Sequence, residues 1–187
     1  MKTFDIVLIA LFAAIFVVLG LIVPIPVPGI AVPISAQNMG IMLAGCIIGA
    51  KRGALTFLLI LLMVAVGLPI LSGGRGGLVV LAGPTAGYIV GWVVGAFVTG
   101  YLAEHLVREE QSTPSQYTGF FIASLVGGIA VVYPIGIVWY AYYANVSFTT
   151  ALIGNLPFIP GDIIKAVIAT LVARAVLVGY PLLHRTA

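Results

Sequence analysis

Long apolar segments alternate along this chain with short stretches that collect glycine, proline and polar residues. A helix crosses the hydrocarbon of a bilayer with about 20 apolar residues, and a shorter helix suffices where a loop covers its end. The pattern therefore predicts an all-α membrane protein with six spans in a single domain covering residues 1–187. The predicted spans are roughly 5–23, 36–50, 52–67, 84–106, 117–140 and 161–181.

The composition agrees with this pattern. Of the 187 residues, 62% are hydrophobic and 7% are charged, whereas soluble domains carry about 25% charged residues. Such a surface cannot face water, so we predict a multi-pass protein of the cell (plasma) membrane. The N-terminal segment superficially resembles a signal peptide. Asp5 near its start and an apolar run that continues to Val23 instead favour an uncleaved first helix.

The basic residues indicate how the helices are oriented. The formal charge of +3 is scattered along the chain, so the positive-inside rule explains it better than a nucleic-acid surface does. If the N-terminus is cytoplasmic, Arg75 falls in an outer loop. The basic residues that then lie inside are Lys2, Lys51, Arg52, Arg108 and Arg185. Both termini are therefore predicted to be cytoplasmic, with a tight turn at Lys51-Arg52-Gly53 between the second and third spans.

The three predicted outer connections, roughly 24–35, 68–83 and 141–160, are long, apolar and rich in proline and glycine. External loops are ordinarily polar because water solvates them. Apolar ones are expected to fold down over a cavity that opens outward. The alternative is that they lie in the membrane interface, which also suits proline and aromatic residues.

Small residues recur at helical spacing in two of the predicted spans. Ala10 and Ala14 form a small-xxx-small pair, which permits close approach of another helix, either within the chain or in a partner. The fourth span carries a glycine at every fourth position, and this smooth face predicts tight packing within the molecule. These glycines are Gly83, Gly87, Gly91 and Gly95.

Two opposite charges open the last predicted helix. Asp162 lies near the positive end of the helix dipole, and Lys165 follows on the same face. Charged residues inside a membrane are costly and usually line a cavity or a pathway. The alternative is an Asp N-cap paired with Lys165 that only holds the helix end. Arg174, nearer the inner end, is interpreted as an anchor or a contact to a cytoplasmic partner.

Several polar side chains map to the same outer level of the predicted bundle. Taken singly, Gln37 and Asn155 could cap helices or satisfy loop backbone, and Tyr88 could be an interface anchor. Together they predict a ligand-binding site. The candidate residues are Gln37, Arg75, Thr85, Tyr88, Asn155, Asp162 and Lys165.

The chain lacks the patterns typical of an enzyme or a metal site. It has no HExxH or CxxC spacing, and its two histidines fall near the predicted cytoplasmic edge. It has no Walker-type phosphate loop, so it is not expected to hydrolyse ATP. The single cysteine, Cys46, lies in an apolar segment and is interpreted as a packing residue. We expect no catalytic residue, metal or cofactor.

Three motifs resemble those of one known family. VPISAQNMGIMLAG, GLPILSGGRGGLVVLAGPTAGYIVGW and NLPFIPGDIIKA are similar to segments of the biotin-specific substrate-binding component of energy-coupling factor (ECF) transporters, the BioY family. The resemblance covers nearly the whole chain. It implies six helices and a lidded pocket that captures biotin, the transported ligand, from outside. It also implies three partners: a transmembrane coupling (T) subunit and two cytoplasmic ATPase subunits.

The resemblance also implies residue roles. The site would comprise the candidates within the matching motifs, and the Ala10 and Ala14 pair would contact the coupling subunit. Biotin has a ureido group with two N–H donors and a carbonyl acceptor, and a carboxylate at the far end. Asp162 is expected to accept from a ureido N–H, with Lys165 or Asn155 donating to the ureido carbonyl. Tyr88 and apolar walls would enclose the thiophane ring, and Arg75 would bind the carboxylate.

Three alternatives remain open at this point. The chain could bind a different vitamin or precursor with the same fold and partners. It could be a membrane enzyme acting on a lipid or prenyl substrate, although one acidic residue at the outer level argues against paired carboxylates. It could also be a structural subunit that binds no ligand.

Overall fold

Helices account for the regular structure of the described residues, which are 2–22, 24–26 and 34–183 of a computed structural model. The pairing outside helices consists there of two isolated antiparallel bridges, Ile25 to Ile34 and Leu71 to Arg75. The α-helices are α1 Thr3–Gly20, α2 Asn38–Ala65, α3 Leu78–Leu81, α4 Ala86–Leu106, α5 Thr113–Leu125, α6 Val132–Ala144, α7 Phe148–Asn155 and α8 Phe158–Gly179. A π-helical segment, Val126–Val131, joins α5 to α6.

α2 consists of two helical segments that meet at Gly49. Gly49 has φ 82 and ψ 179, a backbone conformation that residues with a Cβ rarely adopt. A Cβ at Gly53 would lie 3.5 Å from the Cα of Gly45, so the chain doubles back and the two segments pack together. The Glu104 carboxylate accepts from the backbone N–H of Ala50 at 2.9 Å and so caps the second segment. The turn predicted at 51–53 therefore lies at Gly49 instead.

Four helical stretches of the described chain are long and apolar enough to cross a membrane: α1, α2, α4 and Thr113–Ala144. α8 has 22 residues but carries Asp162, Lys165 and Arg174. The count of six spans stays a prediction. The predicted bounds are close to those of the helices, although Val23 and Arg185 lie outside the described residues.

The third predicted outer connection, 141–160, is mostly helical rather than a loop. It contains the end of α6, all of α7 and the start of α8. α8 begins at Phe158, three residues earlier than predicted, with Pro160 in its first turn. Proline is tolerated there because the first N–H groups of a helix have no partner within it. The proline that suggested a loop therefore lies at the start of a helix.

The glycine face of α4 packs inside the molecule, as predicted. A Cβ on Gly87 would overlap the Trp139 side chain, and one on Gly95 would lie 2.6 Å from Val132 Cγ2. Trp139 Nε1 also donates to the Gly83 carbonyl at 2.8 Å. α4 and α6 therefore approach closely, which brings the N-terminal end of α4 beside the C-terminal half of α6.

The two ends of the bundle differ in the number of basic residues that they carry. At one end Arg52 Nε donates to Asp5 Oδ1 at 2.8 Å, and Arg52 Nη1 donates to the Leu182 carbonyl at 3.4 Å. At the other end Gln37 Nε2 donates to the Phe16 carbonyl of α1 at 3.4 Å. We name the Arg52 end the basic end. It also carries Lys2, Lys51 and Arg108.

The small-residue pair of α1 lies on the outside of the bundle. Ala10 and Ala14 are exposed, whereas the adjacent Ala13 is buried. The pair is therefore not used for helix contact within the described part of the chain. It leaves a shallow apolar stripe of α1 open to another helix or to lipid.

Candidate ligand-binding site

A cavity lies at the end of the bundle opposite the basic end. The space between its lining atoms is about 660 Å³, counting the open solvent at its mouth. All seven candidate residues from the sequence line it: Gln37, Arg75, Thr85, Tyr88, Asn155, Asp162 and Lys165. The structure thus brings together side chains that lie up to 128 positions apart in the sequence, from Gln37 to Lys165.

Asp162 is the centre of the polar network in this cavity. Its Oδ1 accepts from Lys165 Nζ at 2.6 Å. Its Oδ2 accepts from Asn38 Nδ2 at 2.7 Å and from the Tyr133 hydroxyl at 2.8 Å. Asp162 is the fifth residue of α8, so the alternative of an Asp N-cap is wrong. The carboxylate is held by three donors and retains acceptor capacity on Oδ1.

Two of these donors, Asn38 and Tyr133, were not predicted from the sequence as site residues. Asn38 opens α2 beside Gln37, and its Nδ2 also reaches the Gly128 carbonyl of the π-helical segment at 3.3 Å. Tyr133 follows that segment directly. No sequence signal marks Tyr133, because the π-helical turn that precedes it, Val126–Val131, is a property of the folded chain. The wider turn shifts the register of the residues that follow it, Tyr133 included.

Asn38 has one unused polar atom. Its Oδ1 is buried and accepts no hydrogen bond from the described residues. Rotating the amide by 180° would place Oδ1 against the Asp162 carboxylate, so the charge fixes the observed orientation. Asn38 and the Asp162 carboxylate therefore fix each other's orientation.

Tyr88 and Asn155 form a second buried pair on the cavity wall. The Tyr88 hydroxyl donates to Asn155 Oδ1 at 2.6 Å, and Asn155 Nδ2 donates to the Ala151 carbonyl at 2.8 Å. A Cβ on Gly136 would overlap the Tyr88 ring, so the glycine of α6 makes room for it. Tyr88 is 9% exposed and faces the interior, so it is not an interface anchor.

Aromatic side chains form the apolar part of the cavity lining. Trp92 of α4 and Phe158 of α8 line it together with Tyr88. Trp92 packs edge-on against Phe16 of α1, with ring centroids 5.1 Å apart, and Phe16 packs likewise against Phe57 at 5.3 Å. These rings fix the wall from behind, so a flat apolar ligand would meet rigid surfaces.

Arg75 reaches the cavity from the loop between α2 and α3, residues 66–77, which we name the glycine loop. The loop closes on itself because Leu71 and Arg75 exchange backbone hydrogen bonds of 3.0 and 3.2 Å. Gly73 and Gly74, with φ 79 and 68, make this turn. Arg75 Nε donates to the Ser72 carbonyl at 3.0 Å, and no carboxylate of the described residues pairs with its guanidinium.

The charge balance of the lining favours an anionic ligand. Arg75 and Lys165 carry positive charges and Asp162 a negative one, which leaves one positive charge in excess. Partial burial lowers the pKa of Arg75 from its ordinary value, but the arginine pKa is so high that the side chain stays charged at neutral pH. An anion bound there would compensate the cost of burying it.

Gln37 and Thr85 line the cavity in different ways. Both Nε2 and Oε1 of Gln37 are hydrogen-bonded to the glycine loop, so the amide is already engaged within the protein. Thr85 is the N-cap residue of α4, and its side chain makes no capping hydrogen bond. Among the described residues, no three His, Cys, Asp or Glu side chains come together as a metal site.

Comparison with known proteins gives consistent matches over most of the chain. The model of the BioY family matches residues 1–181. The biotin transporter BioY of Rhizobium etli is 58% identical over 98% of both chains. The biotin transporter BioY of Rhodobacter capsulatus is 42% identical over 92% of both chains.

A solved structure matches the fold as well. It is a crystal structure of the S-component for biotin from an ECF-type ABC transporter, with a TM-score of 0.87, 34% sequence identity and coverage of 94% of each chain. The sequence match and the structural match thus extend over the same helices that build the cavity. The chain belongs to the BioY family.

Proposed function

We propose that this protein captures biotin outside the cell and serves as the substrate-binding subunit of an ECF-type vitamin importer. The observation that carries the proposal is the cavity itself. It combines a carboxylate and an ammonium group in contact, aromatic walls and the guanidinium of Arg75, which has no carboxylate partner among the described residues. Biotin offers matching chemistry: a neutral ureido ring, an apolar thiophane ring and a carboxylate.

The ureido ring is assigned to Asp162 and Lys165. Asp162 Oδ1 retains acceptor capacity for a ureido N–H. Lys165 has three N–H donors, of which one is used by Asp162 at 2.6 Å, so another can donate to the ureido carbonyl. Asn155 is less available because both its oxygen and one of its N–H groups already have partners. We therefore favour Lys165 over Asn155 as the donor.

The carboxylate is assigned to Arg75. A guanidinium binds a carboxylate through two parallel hydrogen bonds, which are stronger than bonds between neutral groups. Nanomolar affinity requires about 12 kcal/mol. A few charge-assisted hydrogen bonds together with burial of the rings between Tyr88, Trp92 and Phe158 can supply that amount.

The orientation in the membrane follows from the two ends of the bundle. Lys2, Lys51, Arg52 and Arg108 lie at the end away from the cavity, and the positive-inside rule assigns that end to the cytoplasm. We propose six spans, with α8 and both segments of α2 among them, both termini in the cytoplasm and the cavity open to the outside. The glycine loop would then act as a lid.

Release into the cell requires partners, since the chain has no nucleotide-binding motif. We propose a transmembrane coupling subunit and two cytoplasmic ATPase subunits. The exposed Ala10 and Ala14 of α1 suit a close helix contact with the coupling subunit. A role in transport also distinguishes this protein from an enzyme.

Equilibrium binding tests the proposal directly. Purified protein in detergent should bind biotin saturably with a submicromolar Kd. A panel of other vitamins should not compete with radiolabelled biotin for the site. Competition by another vitamin at equal affinity would assign the cavity to that ligand instead. A complete lack of saturable binding would refute a ligand-binding role.

A further inference from the structure

Gln37 is the most completely bonded polar side chain of the cavity region. It is 1% exposed. Its Nε2 donates to the carbonyls of Phe16 at 3.4 Å and Ile70 at 3.0 Å. Its Oε1 accepts from the Ser72 backbone N–H at 2.8 Å and from the Ser72 hydroxyl at 3.0 Å. Since an amide has two donors and two lone pairs, no capacity remains for a ligand.

These four bonds tie the glycine loop to two helices. Gln37 precedes α2, Phe16 belongs to α1, and Ile70 and Ser72 belong to the loop. Ser72 is itself 1% exposed, so this part of the loop is buried although the chain is not helical there. A Cβ on Gly20 would lie 2.7 Å from Gln37 Nε2, and the end of α1 therefore fits closely around the amide.

The same residue, Ser72, connects Gln37 to Arg75. Its N–H and hydroxyl bind Gln37, while its carbonyl accepts from Arg75 Nε at 3.0 Å. The backbone bonds between Leu71 and Arg75 close the turn around Ser72. With Nε engaged in this way, the two terminal nitrogens of the guanidinium remain for a ligand. The position of Ser72 therefore determines where the guanidinium lies.

We propose that Gln37 is a positioning residue that sets Arg75, through Ser72, for recognition of the ligand carboxylate. This inference rests on the proposed function, in which Arg75 binds the carboxylate of biotin. It replaces the expectation that Gln37 contacts the ligand itself. Gln37 thereby determines specificity for an anionic end group, although its own amide has no hydrogen-bonding capacity left for a ligand.

The test compares biotin with biotinamide, which differs only in having a neutral amide in place of the carboxylate. In the unmodified protein, biotinamide should bind about 10- to 100-fold more weakly, because one charge-assisted interaction is lost. Gln37→Met is nearly isosteric and removes all four bonds. It should weaken biotin binding much more than biotinamide binding. The ratio of the biotinamide Kd to the biotin Kd should therefore fall below about 5.

Two further variants separate positioning from general damage. In an Arg75→Met background, Gln37→Met should leave the ratio unchanged, as expected for two residues that act on one interaction. Gln116→Met is the matched control, since Gln116 is also buried and holds a loop through the Arg108 and Glu109 carbonyls at 3.0 and 3.1 Å, but at the basic end. It should lower the Tm and leave the ratio as in the unmodified protein.

The outcomes distinguish the inference from the proposed function. Equal weakening of both ligands by Gln37→Met would overturn the positioning role and leave biotin binding intact as a function. Absence of biotin binding by the unmodified protein would instead remove the proposed function. If Gln37→Met does not fold, Ser72→Ala decides. It removes the hydroxyl bond, so the ratio should fall about two- to fivefold, and an unchanged ratio overturns the inference.

Discussion

The Tyr133 hydroxyl donates a hydrogen bond of 2.8 Å to Asp162 Oδ2, and so joins the residue after the π-helical segment to the carboxylate of α8. Asn38 Nδ2 binds the same oxygen at 2.7 Å. Both donors approach Oδ2, whereas Lys165 approaches Oδ1. The carboxylate is therefore oriented before any ligand arrives, and Oδ1 is the oxygen left for one.

The first prediction follows from this relationship. Tyr133→Phe removes one of the two bonds that orient Asp162, and a hydrogen bond to a charged group contributes about 1.5–3 kcal/mol. Because Asn38 still binds the same oxygen, we expect only part of this energy to be lost and biotin binding to weaken about 3- to 30-fold, measured by isothermal titration calorimetry. Tyr143→Phe is the control, because Tyr143 lies on the same helix but is 51% exposed. Equal affinities of the two variants would show that Tyr133 does not prepare the carboxylate.

The second prediction concerns the carboxylate itself. Asp162→Asn removes the charged acceptor assigned to a ureido N–H, and a hydrogen bond to a charged group contributes about 1.5–3 kcal/mol. It also leaves Lys165 without its counter-charge, so biotin affinity should fall about 10- to 100-fold. The matched control is Asp5→Asn, which breaks the Asp5 to Arg52 pair of 2.8 Å at the basic end. It should lower the Tm without changing the Kd, and an unchanged Kd for Asp162→Asn would contradict the assignment of the ureido ring.

The third prediction concerns Arg75. Arg75→Lys keeps the charge but loses the planar fork, so biotin should bind about tenfold more weakly, and Arg75→Met should cost more. Arg108→Met, at an exposed position of the basic end, should have no effect on binding.

The pH dependence of binding follows from the same side chain. Partial burial lowers the Arg75 pKa and thus favours the neutral form, while a bound carboxylate favours the charged form. The ordinary value is so high that affinity should be flat from about pH 6 to 8, and a fall over this range would assign carboxylate binding to another group.

Much of the site could be predicted from residue type and level in the membrane. Charged and polar side chains are costly in an apolar chain, so Asp162, Lys165 and Arg75 were identifiable without the fold. The glycine spacing of α4 likewise indicated close packing, which Gly87 and Gly95 make with α6. These signals depend on spacing along one helix and need no knowledge of its neighbours.

The remaining features depend on contacts between distant segments. Tyr133 resembles any interfacial tyrosine in the sequence, and only the register set by the π-helical segment brings it to Asp162. Gln37 was identified as a residue of the site, but its hydrogen bonds to Ser72 were not predicted, because Ser72 lies 35 positions away in the sequence. Hydrogen-bond saturation of a buried amide is a property of the folded chain and has no pattern in the sequence.

The fourth prediction concerns the turn of α2, which the sequence placed at Lys51-Arg52-Gly53. Gly49→Ala forces a Cβ into a backbone conformation with φ 82 and against the Glu104 carboxylate that caps Ala50. The backbone term alone is about 1–3 kcal/mol, so we expect a Tm lower by several degrees in a thermal unfolding assay in detergent. Gly179→Ala, where a Cβ would meet no atom within 4 Å, should leave the Tm unchanged or raise it slightly. Because the turn lies at the basic end, biotin binding by folded Gly49→Ala should match that of the unmodified protein. Equal Tm values for the two alanine variants would mean that the chain does not reverse at Gly49.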